Sequence, residues 1–251
     1  MRNGTAMVTR MAMASVIQRR LLVNYRLDPA AAARVLPRGM RPDLANGYAV
    51  GGICLIRLAR LRPAGLPGFL GPTTENAAHR IGVVWDGPHG EERGVYIPRR
   101  DTSSRLTTLV GGRVFPGEHH FAGFEVRESA DRLRLSFHAT DSTAHVQVEA
   151  EVADTLRDSA LFTGLAAASA YFRDAPLGCS ARSAGSELDA VRLTTRRWTI
   201  EPTALLSVES SFFADPARFP AGTAEPDSAL LMRDVPARWT AEPEPARSRV
   251  A

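Results

Sequence analysis

The stretch FAGFEVRESADRLRLSFHATDSTAHVQVEAE (residues 121–151) decides the fold. Apolar and polar residues alternate with period two over 121–127, 132–138 and 144–151, which predicts three strands with one buried face each. Glu128-Ser129-Ala130-Asp131 and Thr140-Asp141-Ser142 supply the turns between them. Short connections of this kind join antiparallel neighbours.

Working outward, the same kind of signal recurs. Upstream, 21–25 reads as a strand, Asn46-Gly47 as a hairpin turn, and 48–61 as a long, glycine-containing, curved strand. A Pro/Gly loop covers 62–72. A strand over 75–85 turns at 86–90 and returns at 95–97. Downstream, strands are predicted over 191–200, 205–212 and 230–235. Three short helices are expected. The first spans 28–37, with Asp28 as its N-cap, Pro29 at its first position and Pro37 as its stop. The second, 105–110, is capped by Ser103 or Ser104 and ended by Gly111-Gly112. The third, 158–172, is capped by Asp158. No βαβ rhythm appears. The expectation is a mainly β (α+β) chain, a closed antiparallel β-barrel with a few short peripheral helices. It is read as one domain over 1–251, with an ordered core at about 20–239 and flexible ends at 1–12 and 240–251.

Composition excludes several classes. All 31 basic residues are arginine, so the chain has no lysine with which to form a Schiff base. Net charge is +4 and dispersed, with basic neighbours only in pairs such as Arg19-Arg20 and Arg99-Arg100. Nucleic acid is not an expected partner. Two cysteines, Cys54 and Cys179, make no disulfide framework and fit a reducing compartment. Residues 1–18 contain Arg2 and Arg10 and do not read as a signal peptide, and no apolar run is long enough for a membrane span. A cytoplasmic protein is expected, with homo-oligomerisation open.

Strand alternation also sorts the polar residues. In 75–85 the odd positions end in Ile81, Val83 and Trp85, so that face is taken as inward, carrying Glu75 and His79 with it. Ahead of the next strand, His120 shares a face with Ala122, Phe124 and Val126 and is expected in the lumen. His119 is expected outside or at the rim. An imidazole with its ordinary pKa of about 6.5 suits proton transfer. His120, His79 and Glu75 are therefore the candidate catalytic groups, with a structural hydrogen bond as the plainer reading. A metal set of the same three residues lacks ligand spacing, and no metal or cofactor is expected. Arg99 and Arg100, with Tyr96 before them and hydroxyls after them, stand ahead of a helix and suit an anion, unless Asp101 simply pairs with them.

The strings ENAAHRIGV (75–83), GVYIPRRDTSSRL (94–106), GGRVFPGEHH (111–120), SSFF (210–213) and ALLMRDVPARW (229–239) resemble the YqjF-like family of uncharacterised bacterial proteins. That family is distantly similar to acetoacetate decarboxylase. The resemblance runs from about Arg20 to Trp239 and implies the acetoacetate decarboxylase-like barrel with an interior cavity. The enzyme relatives carry Gly-Arg, a short gap and then Pro-Lys-Lys, which supplies the Schiff-base lysine. Here Gly112-Arg113 is followed by Gly117-Glu118-His119-His120, so the histidines stand in the lysines' place. The resemblance thus implies the fold and the cavity, not the decarboxylase mechanism.

Two functions follow as expectations. The cavity binds a small acidic or carbonyl-containing metabolite, held by Arg99, Arg100, Arg113, Tyr96 and His119 and processed by His120 with His79 or Glu75; lyase, isomerase and hydrolase chemistry stay open. Alternatively, the same cavity serves a non-catalytic binding or sensor protein.

Overall fold

The computed structural model describes residues 12–88, 90–110, 117–181 and 187–245. Its strands are β1 (Met13–Leu27), β2 (Arg41–Pro42), β3 (Leu44–Ala45), β4 (Tyr48–Pro63), β5 (Thr74–Gly87), β6 (Gly90–Thr102), β7 (His119–Glu128), β8 (Arg132–Ala139), β9 (His145–Val152), β10 (Leu177–Ala181), β11 (Leu188–Thr195), β12 (Glu201–Ser210) and β13 (Ala224–Glu242). The helices are α1 (Pro29–Arg34), α2 (Arg105–Val110) and α3 (Leu165–Arg173).

All thirteen strands belong to one sheet that closes twice. The β5–β6 pairing closes a larger ring of nine strands, in the order β6, β7, β8, β9, β12, β13, β1, β4, β5. The β11–β13 pairing closes a smaller ring of seven, namely β11, β10, β6, β5, β4, β1 and β13. The wall β13-β1-β4-β5-β6 is common to both rings. Closure removes open edges, the usual liability of a large sheet.

The shared wall explains a sequence pattern. Strands β8 and β9 face solvent on one side and alternate cleanly between buried and exposed. By contrast, β4 and the second half of β5 are buried almost continuously, because each face lies inside a ring. On one face Leu21, Leu55, Ile81, Phe137 and Val148 fill the larger ring. On the other, Leu22, Cys54, Ile56, Phe172 and Met232 form a second cluster, roofed by α3.

Several expected elements hold. Asp28 Oδ1 accepts from Ala31 N at 2.8 Å, with Pro29 in the first turn of α1. Ser104 Oγ accepts from Thr107 N at 3.1 Å and starts α2. The expected stop of α2, Gly111-Gly112, lies outside the described residues.

Other elements differ. α3 begins at Leu165, not at Asp158, which adopts φ 55. Asp227 takes the N–H groups of Ala160 and Leu161 at 2.7 and 3.2 Å, so this segment satisfies its backbone from a distant strand instead of coiling. β10 was not expected. It pairs in parallel with β6 and antiparallel with β11. β1 starts before the expected strand at 21–25. β13 outruns 230–235 at both ends, and its residues 240–242 pair with β11 where a flexible tail was expected. Residues 1–11 and 246–251 of the expected flexible ends lie outside the described residues.

Candidate functional site

The two rings have different interiors. In the larger ring, His79 is fully buried among Phe137, Phe212 and Phe213, with ring centroids 4.8 Å apart for His79 and Phe212. Tyr25 stacks on Phe213 at 4.2 Å. Burial holds the His79 imidazole down to about 3, and the Arg99 charge adds to the effect. Among the described residues its Nδ1 has no partner, and Nε2 lies 3.4 Å from Ser210 Oγ. At neutral pH it is an uncharged core residue.

The smaller ring holds a cavity of about 410 Å³. All seven of its strands contribute to the lining: Arg20 from β1, Cys54 and Ile56 from β4, Ala78 and Arg80 from β5, Val95, Ile97 and Arg100 from β6, Gly178 from β10, Val191 and Leu193 from β11, and Trp239 from β13. Phe172 of α3 and Trp198 complete the walls. Both indole N–H groups are tied back, Trp198 to Ser169 Oγ at 3.0 Å and Trp239 to Ser15 Oγ at 2.9 Å. A smaller space of about 80 Å³ adjoins through the shared residues Ile56, Ala78, Arg100, Val191 and Trp239, and includes Asn76, Asp101, Thr107 and His119.

Three guanidinium groups dominate the larger space. Arg80 is 3% exposed. It donates from Nη2 to Asn24 Oδ1 at 2.6 Å and lies 4.6 Å from the centre of the Phe172 ring. Gly52 makes room for it, since a Cβ there would stand 2.3 Å from Val23 O and 3.0 Å from Arg80 Nη2. Arg100 donates from Nε to Ser180 Oγ at 3.1 Å. Arg20 donates from Nε to Cys54 Sγ at 3.4 Å. Among the described residues none of the three makes an ion pair, and each keeps a buried N–H nitrogen without a partner: Nη1 of Arg20, Nε and Nη1 of Arg80, and Nη2 of Arg100. Burial pushes the Arg80 and Arg100 guanidinium groups down to about 10, with Arg20's charge adding to the effect at Arg80. They stay charged at pH 7 at the cost of desolvation, which the charge of the buried Asp189 offsets in part at Arg100. The described lining of the larger space has no Asp or Glu. At its mouth, Arg173 and Arg192 are paired with Asp174 and Glu242.

A bulge aims Arg100 inward. β5 and β6 pair Ile81 with Tyr96 but His79 with Arg99, so β6 spends one extra residue around Ile97-Pro98. An extra residue reverses the alternation beyond it. Val95 and Ile97 face the cavity before the bulge, and Arg100 faces it after. The parallel pairing of Arg100 with His119, and of Asp101 with His120, then carries the facing onto β7. His119 therefore lines the smaller space beside Arg100, and His120 turns to the rim of the larger ring. This reverses the expected placement of the two histidines, because the alternation argument took only one face of the sheet as inward.

The predicted residues thus separate. Arg100 and His119 line the cavity region. Burial holds the His119 imidazole down to about 3, Arg100's charge adds to this, and its Nδ1 lies 3.2 Å from Gly117 O. His120 Nδ1 lies 2.8 Å from Asp141 Oδ2, with the side chain 28% exposed. Arg99 binds Asp101 and, at 2.6 Å, Thr143 Oγ1 on that same side. Glu75 sits between Arg19 and Arg57, and Arg19, 1% exposed, also bonds Glu128 at 3.1 Å. Tyr96 is buried in a third apolar cluster with Val83 and Trp85. Arg113 lies outside the described residues. The proposed catalytic trio of Glu75, His79 and His120 is not brought together, and no group of three or more His, Cys, Asp or Glu among the described residues is placed to hold a metal ion.

Sequence reasoning missed Arg20, Arg80 and Cys54. The available signal was Arg80, the one arginine of β5, set directly ahead of the apolar run from Ile81 to Trp85.

The fold matches solved acetoacetate decarboxylase-like proteins. An acetoacetate decarboxylase-like enzyme from Sphingomonas wittichii RW1 aligns with a TM-score of 0.61 at 13% identity, over 95% of this chain and 93% of that one. The enduracididine biosynthesis enzyme MppR, complexed with pyruvate, aligns with a TM-score of 0.57 at 14% identity, over 95% and 90% of the two chains. Acetoacetate decarboxylase from Legionella pneumophila gives 0.56 at 12% identity, over 92% and 87%. At these identities the likeness is one of fold. The model of the DUF2071 family, described as an uncharacterized conserved protein, matches residues 16–235, and the chain belongs to that family, the YqjF-like proteins. No curated protein gives a significant sequence match. Among the described residues no helix is long and apolar enough to cross a membrane.

Proposed function

We propose that this protein binds a small organic acid carrying two negative charges in the lumen of the smaller ring. One observation carries the reading: the buried, unpartnered N–H groups of Arg20, Arg80 and Arg100 border a single cavity whose described lining has no carboxylate. A guanidinium group matches a carboxylate with two parallel hydrogen bonds, and such charge-assisted bonds contribute about 1.5–3 kcal/mol each. A bound acid would supply acceptors for these unpartnered N–H groups and offset the desolvation of Arg80 and Arg100. The apolar walls of Ile56, Val191, Phe172 and Trp198 suit a short carbon skeleton. The pyruvate held by MppR, on a similar fold, is an acid of that size.

Binding without turnover is the reading that the ligand-free geometry favours. His119 is the imidazole nearest the guanidinium groups, and at about 3 it is a weak base. General-base catalysis works best with a pKa near the working pH. Acid–base chemistry by His119 becomes the second reading if a bound anion lifts its pKa towards neutrality. In either case the chain has no lysine, so a lysine imine plays no part.

Thermal unfolding in the presence of acetate, malonate, sulfate and neutral amides tests the proposal. Doubly charged anions should raise Tm in a saturable way, and the neutral amides should not. Equal shifts from charged and neutral compounds, or none, would refute it.

A further inference from the structure

Cys54 stands in the middle of the arginine-lined wall. Across the sheet it pairs with Leu22 on one side and Ala78 on the other, and Ala78 pairs with Arg100. Arg20 sits two pairs along in one direction, opposite Ile56, and Arg80 two pairs along in the other, opposite Gly52, so both share the face of Cys54. The sulfur accepts the Arg20 Nε–H at 3.4 Å and borders the cavity. Cys179, fully buried, belongs to the third apolar cluster instead. A cysteine enclosed by apolar side chains is inert, whereas one that faces an accessible, electropositive space can react. Arg80, 3% exposed with two N–H nitrogens unpartnered, independently marks that space as an anion site.

We propose that Cys54 is a nucleophile that forms a thioether with a small carboxylate bearing an electrophilic carbon, an α,β-unsaturated acid being the chemical class. This rests on the anion-binding reading above. The guanidinium groups hold the carboxylate and thereby set the carbon chain beside the sulfur, which raises the effective concentration of the reacting atoms. The sulfur's electron pair forms the C–S bond at the β-carbon, the π pair of the C=C bond becomes the new C–H bond at the α-carbon, and the thiol's proton ends there. No other reactant is needed.

The probes are iodoacetate and iodoacetamide, which differ mainly in charge. With either one the C–S bond forms, iodide leaves with the C–I pair, and the thiol proton passes to water. Alkylation of the Cys54 peptide is timed by mass spectrometry in the native protein and in urea. In urea iodoacetamide should be the faster reagent, because a carboxylate and a thiolate repel each other. In the native protein iodoacetate should be at least fivefold faster at Cys54, while Cys179 stays unlabelled by both. Arg80→Gln should return the ratio to its value in urea, and Arg100→Gln should reduce it if the first variant does not fold. A native ratio equal to that in urea, or no labelling of Cys54, would overturn the proposal. Malonate on the native protein separates the two claims. If malonate raises the Tm while Cys54 shows no preference for iodoacetate, the nucleophile fails and anion binding stands. If malonate has no effect either, both fall.

Discussion

Arg100 on β6 and His119 on β7 are direct partners across a parallel pairing, and both side chains line one continuous space. That relationship joins a guanidinium group with an unpartnered N–H to an imidazole that burial, and then Arg100's charge, keep uncharged. An anion bound at Arg100 acts on both groups at once.

Removing that guanidinium should weaken binding without unfolding the chain. Arg100→Gln keeps a donor for Ser180 and loses the charge. The affinity for malonate is expected to fall tenfold or more, about 1.5–3 kcal/mol for a charge-assisted bond. The ligand-free Tm should hold or rise, since a desolvated charge is gone. Titration calorimetry and thermal unfolding measure the two effects separately.

Binding should depend on pH through His119. Its imidazole sits at about 3 in the free protein, and a neighbouring anion raises that value. Binding then takes up a proton once the pH falls towards the bound-state pKa, so affinity tightens as the solution becomes more acidic. Sulfate, doubly charged throughout, should bind at least threefold tighter at pH 5.5 than at pH 7.5. His119→Gln should flatten this dependence.

Stability should fall with acid because of His79. Its folded pKa, about 3, lies below the unfolded value of about 6.5, so the unfolded chain binds more protons between these limits. The stability gained by keeping this histidine neutral is complete above pH 6.5 and is lost as pH falls. The slope between pH 7 and 5 approaches about 1.4 kcal/mol per pH unit for such a group. His119 adds a second contribution of the same sign. Urea unfolding of His79→Leu across this range should show a shallower slope than the parent chain.

Glu75 offers a contrast between structure and site. It bonds Arg19, which is 1% exposed, and Arg57. Glu75→Gln should cost about 1.5–3 kcal/mol, because the buried Arg19 then keeps only one of its two carboxylate partners, Glu128. Malonate affinity, measured on the folded protein, should stay within twofold. A large loss of affinity at unchanged stability would instead return Glu75 to the site.

The contrast between strands shows what the sequence made legible. β8 and β9 were read correctly because each buries one face, so Leu133, Leu135 and Phe137 alternate with Arg132, Arg134 and Ser136. The barrel class followed from such strands and from the family resemblance. β1, β4 and β5 form the wall between two rings, and there alternation does not say which interior a side chain enters. His79 and Arg80, neighbours in sequence, enter different ones. The extra residue near Ile97-Pro98 and the parallel β6–β7 pairing, which together bring Arg100 and His119 to one side, are non-local facts. Periodicity within a single strand does not carry them. A lone arginine inside an apolar strand remained the readable clue.

The central claim is that Arg20, Arg80 and Arg100 form one site for a doubly charged acid. Titration calorimetry with malonate and with its neutral diamide, malonamide, at pH 7.5 tests it most directly. The account predicts saturable binding of one malonate per chain and no measurable binding of malonamide. Equal heats for the two compounds, or none for malonate up to tens of millimolar, would contradict it.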